Sequence, residues 1–320
     1  MAKRTAVKHT AKVREGLNPR QPCPCGSGRR YKACHGAAGG PPEVLVARPF
    51  GGLAAECELV ALREFVPSAT APLPLLGSPE REITLATVLP VAAAALVRSD
   101  GTAFVGMQVQ VHSNDVGRDV ARSIRWALTA EPGDVLSVLP PEDTEPDAAE
   151  HLVDLIDPTA ALVPELHPDF SWWMPADSSE PTGEVALSLE RANAAILPTD
   201  RLRGAHVQAA YWVDAGQKAH LRWVRPEPEE QLLAAMARLS AQGELDLGEG
   251  SRFAGSFRAH GVLVPVWDLD PEMHAREWDE PAAALGERLE KALASLDSEP
   301  ITEAERRARD GLRGRQVTLR

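Results

Sequence analysis

Between Pro22 and Gly36 the chain sets Cys23 and Cys25 one residue apart, then, after eight further residues, Cys34 beside His35. This stretch has too few apolar side chains to build a core, so it can hold a shape only through some other device. Three thiolates and one imidazole make a complete donor set for a tetrahedral Zn²⁺, and a closed four-ligand shell leaves no position for water or substrate. Gly26-Ser27-Gly28 lets the backbone reverse after the first pair, and the following residues can form a short hairpin that returns Cys34 and His35 to the ion. A redox cysteine cluster is the competing reading; the complete ligand set favours zinc.

The same fifteen residues, Cys-Pro-Cys-Gly-Ser-Gly, a basic pair, Tyr-Lys and Cys-His-Gly, resemble the SEC-C motif, the zinc-binding module at the C-terminus of the SecA preprotein translocase ATPase. The resemblance implies that Cys23, Cys25, Cys34 and His35 bind zinc. In SecA the module contacts the SecB chaperone and the ribosome through basic residues near the metal, positions that Arg29, Arg30 and Lys32 occupy in this sequence. Here the motif stands near the N-terminus, and the remainder is unlike the SecA motor. No G-x-x-x-x-G-K-[ST] loop occurs in the 320 residues, so nucleotide-driven translocation is not expected. The whole chain resembles an uncharacterised actinobacterial family that joins this motif to an Ala/Pro-rich body, a likeness that brings no activity with it.

Charge is distributed unevenly. Residues 1–35 hold nine basic side chains and one acid, residues 301–320 hold six arginines and three acids, and the middle holds 19 basic against 42 acidic residues. An acidic body with two basic ends suggests that the ends meet an anionic partner or fold back on the body. The body itself is a poor surface for nucleic acid, because phosphate contacts rely on Lys and Arg. Four cysteines are too few for a disulfide scaffold. No apolar run approaches the roughly 20 residues of a membrane span, and no signal peptide is visible. A cytoplasmic protein is the expectation.

Composition divides the chain into a flexible basic arm (1–21), the SEC-C motif (22–38), a linker (39–49), a body (50–300) and a basic tail (301–320). The body reads as α+β, with subdomains at 50–140 and 180–300. A helix with Leu53, Cys57, Val60 and Ala61 on its apolar face ends at Pro67. Two β-hairpin–helix units follow. In the first, strands over Ala93–Val97 and Phe104–Val111 flank Asp100-Gly101, and a helix starts at Asn114 or Asp115. In the second, strands over Val207–Val213 and Lys218–Val224 flank Asp214-Ala215-Gly216, and a helix runs from Pro228 to Gly243. A strand-like run precedes each hairpin, Glu82–Val88 and Glu184–Leu189, so the two units read either as a duplication or, their sequence identity being negligible, as chance recurrence of a common motif. A strand at Val262–Val266 and a helix at Pro281–Leu296 close the body.

Other features invite functional readings with plainer ones beside them. Cys57 reads as a buried structural thiol. Three groups, His112 with Asp115 and Asp119, His151 with Asp154 and Asp157, and Glu165, His167 and Asp169, could hold a hydrolytic metal, but their loop positions favour cap chemistry. Trp172-Trp173 is expected to plug the cleft between the two units rather than anchor a partner. Lys218, His220 and Arg222 share one strand face, which with Arg201, Arg203 and His206 could form a local anion site. The C-terminal arginines, behind a Thr302-x-x-Glu305 capping box, fit either a surface helix or a contact with RNA or an acidic protein.

The function these features favour is a zinc-binding adaptor. Its basic N-terminal motif would dock on an anionic partner, either the ribosome and its RNA or an acidic chaperone-like protein. The alternative is a hydrolase whose catalytic residues lie in the body, with the zinc motif as a targeting module.

Overall fold

Four consecutive residues, Leu59 to Leu62, have no solvent exposure in the computed structural model, so helix α1 (Glu56–Glu64) is surrounded rather than laid on a surface. The structure describes residues 20, 30, 46–140, 151–175 and 181–317. The chain divides into two units, Met1–Val46 and Ala47–Arg320, and every helix and strand named below belongs to the second. That unit is a mixed α+β body with two sheets and, among the described residues, six helices.

The first sheet contains β1 (Ala69–Pro72), β2 (Ile83–Ala86), β3 (Ala95–Val97), β4 (Ala103–Gly106), β5 (Val135–Leu136) and β6 (Glu165–Leu166) in the order β5-β3-β4-β2-β1-β6. Only β2 and β4 pair parallel; the other neighbours are antiparallel. Gly101, at φ +87°, turns the β3–β4 hairpin and sets Leu96 opposite Phe104. Helix α2 (Val116–Thr129) follows, with the Asp115 carboxylate accepting from the Arg118 amide at 3.1 Å as its N-cap. Its Val116, Val120 and Ile124 are buried against the sheet and α1.

The second sheet is wholly antiparallel, in the order β10-β11-β9-β8-β7, with β7 (Thr199–Arg201), β8 (Ala210–Asp214), β9 (Ala219–Trp223), β10 (Ser251–Ala259) and β11 (Val262–Leu269). The tight turn from β10 to β11 puts both His260 and Gly261 at positive φ, the backbone a two-residue hairpin loop requires. Leu221, Trp223, Trp267 and Leu269 face a core shared with α4 (Glu229–Gln242), α5 (Asp279–Ser295) and α6 (Glu303–Arg313). Tyr211, Val262 and Val264 face the other way, into the core that holds α1 and the first sheet. Each fully buried aliphatic side chain of this kind contributes about 1.5–3 kcal/mol, so a helix enclosed by both sheets is a large share of what joins them. Arg238, buried on α4, fixes the last helices: it donates to Glu305 at 3.0 Å, to the Ser295 hydroxyl and to the Glu299 carbonyl at 2.9 Å.

Both hairpin–helix units are present, but the run Glu184–Leu189 is not a strand. It lies inside helix α3 (Gly183–Ala194). Six alternating residues fit either period, and Glu190, Arg191 and Ala192 behind them are good helix formers that extend the turn begun at Gly183. The likeness between the units therefore stops at hairpin plus helix. The strand preceding the first hairpin, β2, pairs parallel with the second hairpin strand, whereas β7 pairs antiparallel with the first strand of its hairpin. Strand β10 went unrecognised in the sequence because Arg252, Gly255 and a register shift between Phe253 and Gly255 interrupt its alternation.

Candidate functional site

The expected metal ligands Cys23, Cys25, Cys34 and His35, with Arg29 and Lys32, lie outside the described residues. Arg30 is described and exposed. Among the described residues no group of three or more His, Cys, Asp or Glu is placed to hold a metal ion.

Each of the three acid–histidine groups of the body is used locally. Asp115 caps α2, and Asp119 accepts from the Ser113 amide at 2.7 Å and hydroxyl at 2.9 Å. Asp154 accepts from the His151 amide at 3.0 Å, and Asp157 accepts from the Thr159 amide at 2.8 Å and hydroxyl at 2.7 Å, bonds that hold its carboxyl below the ordinary value. Asp169 accepts from the Ser171 amide at 2.8 Å, while His167 Nε2 lies 2.8 Å from the Thr70 hydroxyl. These bonds satisfy turn and helix-start donors and leave each group spread along the backbone rather than convergent.

A cleft of about 460 Å³ opens where β6, at the edge of the first sheet, meets β7, at the edge of the second. His167, Asn193, Thr199, Asp200, Trp212 and His274 are among its walls, together with Ser68 and several prolines. His274 stacks on Trp212 at 6.3 Å between ring centres. The Ser68 hydroxyl donates to the Asp169 carbonyl at 2.9 Å and accepts from Trp172 Nε1 at 3.0 Å, so the serine is engaged in structure rather than held by a base. Of the residues singled out for function in the sequence only His167 lines this cleft, because its walls come from segments far apart along the chain.

Trp172 and Trp173 pack half-buried against the first sheet rather than between the two hairpin–helix units. Trp173 Nε1 donates to the Val88 carbonyl at 3.0 Å and its ring stacks on Phe170 at 4.4 Å, while Trp172 covers Phe104 on the outer face of the first sheet. The proposed anion site of the second sheet does not assemble. Arg201 is held by Glu58, His206 lies 2.7 Å from Glu290, and Lys218, His220 and Arg252 share the single carboxylate of Asp268. Arg222 lies over the Phe65 ring at 5.5 Å. Cys57 is a buried free thiol whose pKa burial, and then the nearby Glu56 and Glu227, push up to about 12.

One polar group that sequence reading passed over stands out: Glu58, wholly buried on α1 and bonded to Arg201, Tyr211 and the Ala209 amide. Nothing in the sequence set it apart from Glu56 and Glu64, the other acids of the same helix. No helix among the described residues is long and apolar enough to cross a membrane.

Comparison with known proteins divides the chain at about the same place as its composition does. Residues 20–37 match the SEC-C motif. Over 26 residues the chain is 58% identical to the protein translocase subunit SecA of Rubrobacter xylanophilus, a match that covers 8% of this chain and 3% of that relative. The likeness to SecA is thus confined to the motif. No solved structure matches. Residues 49–320, the whole of the body described above, match a family of unknown function, DUF5926. The chain belongs to that family and carries a SEC-C motif ahead of the family's body.

Proposed function

We propose that this chain is a cytoplasmic zinc-binding adaptor that docks through its basic SEC-C segment on an anionic partner, the ribosome and its RNA or an acidic chaperone-like protein. The supporting observation is the SEC-C match over residues 20–37, together with the nine basic side chains and one acid of residues 1–35. Cys23, Cys25, Cys34 and His35 are the donors that would hold the ion, and a sulfur-rich tetrad of this kind suits Zn²⁺ in a structural rather than a catalytic role. Bound there, zinc would supply the folding free energy that so few apolar residues cannot. Arg29, Arg30 and Lys32 would then present fixed positive charge to phosphate or carboxylate groups. The body's functional polar groups fit this reading, since its acid–histidine sets serve turns and caps.

Affinity purification from the native cell, run in parallel with and without nuclease, tests the proposal. Recovered ribosomal components that vanish on nuclease treatment mean docking on RNA, and an acidic protein retained after nuclease means docking on protein. In either case replacing Arg29, Arg30 and Lys32 by Glu should abolish recovery. Recovery unchanged in that variant, or in Cys25→Ser, would refute the adaptor reading.

A further inference from the structure

The cleft between the edges of the two sheets adjoins a second hollow. This smaller pocket, of about 70 Å³, is lined by Arg201, Arg203, Arg276 and Asp279, and the two share Asp200. The larger, at about 460 Å³, is within the size range of small-molecule sites, and Leu166, Ile196 and Leu197 give it apolar walls. His274 adds an aromatic one: the residue is exposed, and one face of its ring lies on Trp212 at an interplanar angle of 26°. A flat exposed ring is the platform on which a nucleic-acid base stacks.

The polar groups left over in these hollows are of distinct kinds. Asn193 Oδ1 accepts from the Phe170 amide at 2.8 Å, which leaves its side-chain NH2 as the free end. His274 Nδ1 accepts from the Arg276 amide at 3.3 Å, so the neutral ring carries its proton on Nε2. Two N–H donors suit a ring with two neighbouring acceptors, and guanine presents such a pair in O6 and N7. In the smaller pocket Arg201 is already held by Glu58, but the guanidinium groups of Arg203 and Arg276 have no partner among the described residues. Asp279 is occupied with the Arg203 amide, at 2.8 Å. Residues 36–300 carry 42 acids against 19 bases, and two arginines left unpaired around one hollow in such a body fit a bound anion. Planar guanidinium forks suit phosphate in particular. Asp200 stands where the hollows meet, and a carboxylate there can accept from the hydroxyls of a ribose joining base to phosphate. We propose that the paired hollows bind a purine ribonucleoside monophosphate of the guanine type, its base in the larger cleft, its ribose at Asp200 and its phosphate at Arg203 and Arg276. The site lies wholly in the body and is independent of the zinc segment.

Calorimetric titration of the full chain, zinc-loaded, with guanosine monophosphate, guanosine and ribose 5-phosphate tests the assignment. The monophosphate should bind with a Kd on the order of 10 µM, and guanosine and ribose 5-phosphate at least about tenfold more weakly. Arg203→Ala and Arg276→Ala should each weaken the monophosphate about tenfold and leave guanosine unchanged. Leu197→Trp, which narrows the cleft from a position 41% exposed, should weaken both by about tenfold. All three side chains are exposed, and the melting temperature checks that each variant is folded. No binding of the monophosphate up to about 1 mM overturns the proposal. So does binding indifferent to these variants, which must lie elsewhere, such as the basic N-terminal segment. Arginine variants that weaken guanosine as much as its monophosphate would remove the phosphate from Arg203 and Arg276 and overturn it too.

Discussion

The Glu58 carboxylate, with no exposure to solvent, accepts two hydrogen bonds from the Arg201 guanidinium, at 2.6 Å and 3.1 Å. It also accepts from the Ala209 amide at 3.1 Å and from the Tyr211 hydroxyl. One side chain of α1 thereby binds β7 and β8. Burial, and then the neighbouring Glu58, push the Tyr211 phenol well above its ordinary value, so it remains a donor.

Glu58→Ala strands a partly buried guanidinium, a phenol and an amide together. It is expected to lower unfolding free energy by about 3–5 kcal/mol, the usual cost of breaking a buried ion pair. Arg201→Ala removes a partner that keeps 21% exposure but leaves the Glu58 carboxyl in the core without its cation, so it should cost a similar amount rather than less. Urea unfolding with unchanged m-values measures both.

Cys57 should be inert to thiol reagents at pH 8 in the folded protein, because its pKa is near 12 and the side chain is 4% exposed. Under the proposed zinc site, Cys23, Cys25 and Cys34 are also protected until a chelator is added, and then react while Cys57 does not. Peptide mapping after alkylation, with and without chelator, distinguishes the two classes. Elemental analysis of the same sample is expected to give one zinc per chain.

His260 Nε2 lies 2.7 Å from Glu64, and this hydrogen bond, working against burial, holds the Glu64 carboxyl below its ordinary 4.5. A depressed carboxylate pKa contributes stability that is complete above the unfolded value and lost as pH falls through the folded one. His260→Asn keeps a residue that tolerates positive φ but removes the bond. Between about pH 5 and about pH 3 the wild type should therefore lose stability more steeply than the variant. Equal slopes in denaturation measured across that window would show that the contact contributes nothing.

Docking by the N-terminal segment should weaken as salt rises, because released counterions drive charge-based contacts. With the partner recovered by affinity purification, raising salt from about 50 mM to about 200 mM should cut affinity at least tenfold if several phosphates are contacted. No change would exclude an electrostatic mode.

Features set by neighbouring residues were readable from the sequence: Gly101 in its turn, Asp115 as a cap, and Thr302 with Glu305 as a reciprocal box. What needed distant partners was not. Glu58 and Arg201 are 143 residues apart, and nothing local to either announces the other. Val185 and Leu187 were misassigned for a different reason. Short alternation assumes one covered face and one wet face, and α3 has no fully buried residue, its inner side being only half-covered at Ala186, Leu189, Ala192 and Asn193. The SEC-C tetrad was the clearest signal because metal coordination fixes residue type and spacing together, whereas the cleft walls obey no spacing at all.

Helix α1 is walled by both sheets, and this bears on how such a body can be inherited. Neither sheet could be transplanted to a new host without rebuilding the helix, since its Leu59–Leu62 surface and the fully buried Glu58 would lose half their surroundings. Lineages should then keep or discard the pair as a block, and the family match is in fact unbroken from residue 49 to residue 320.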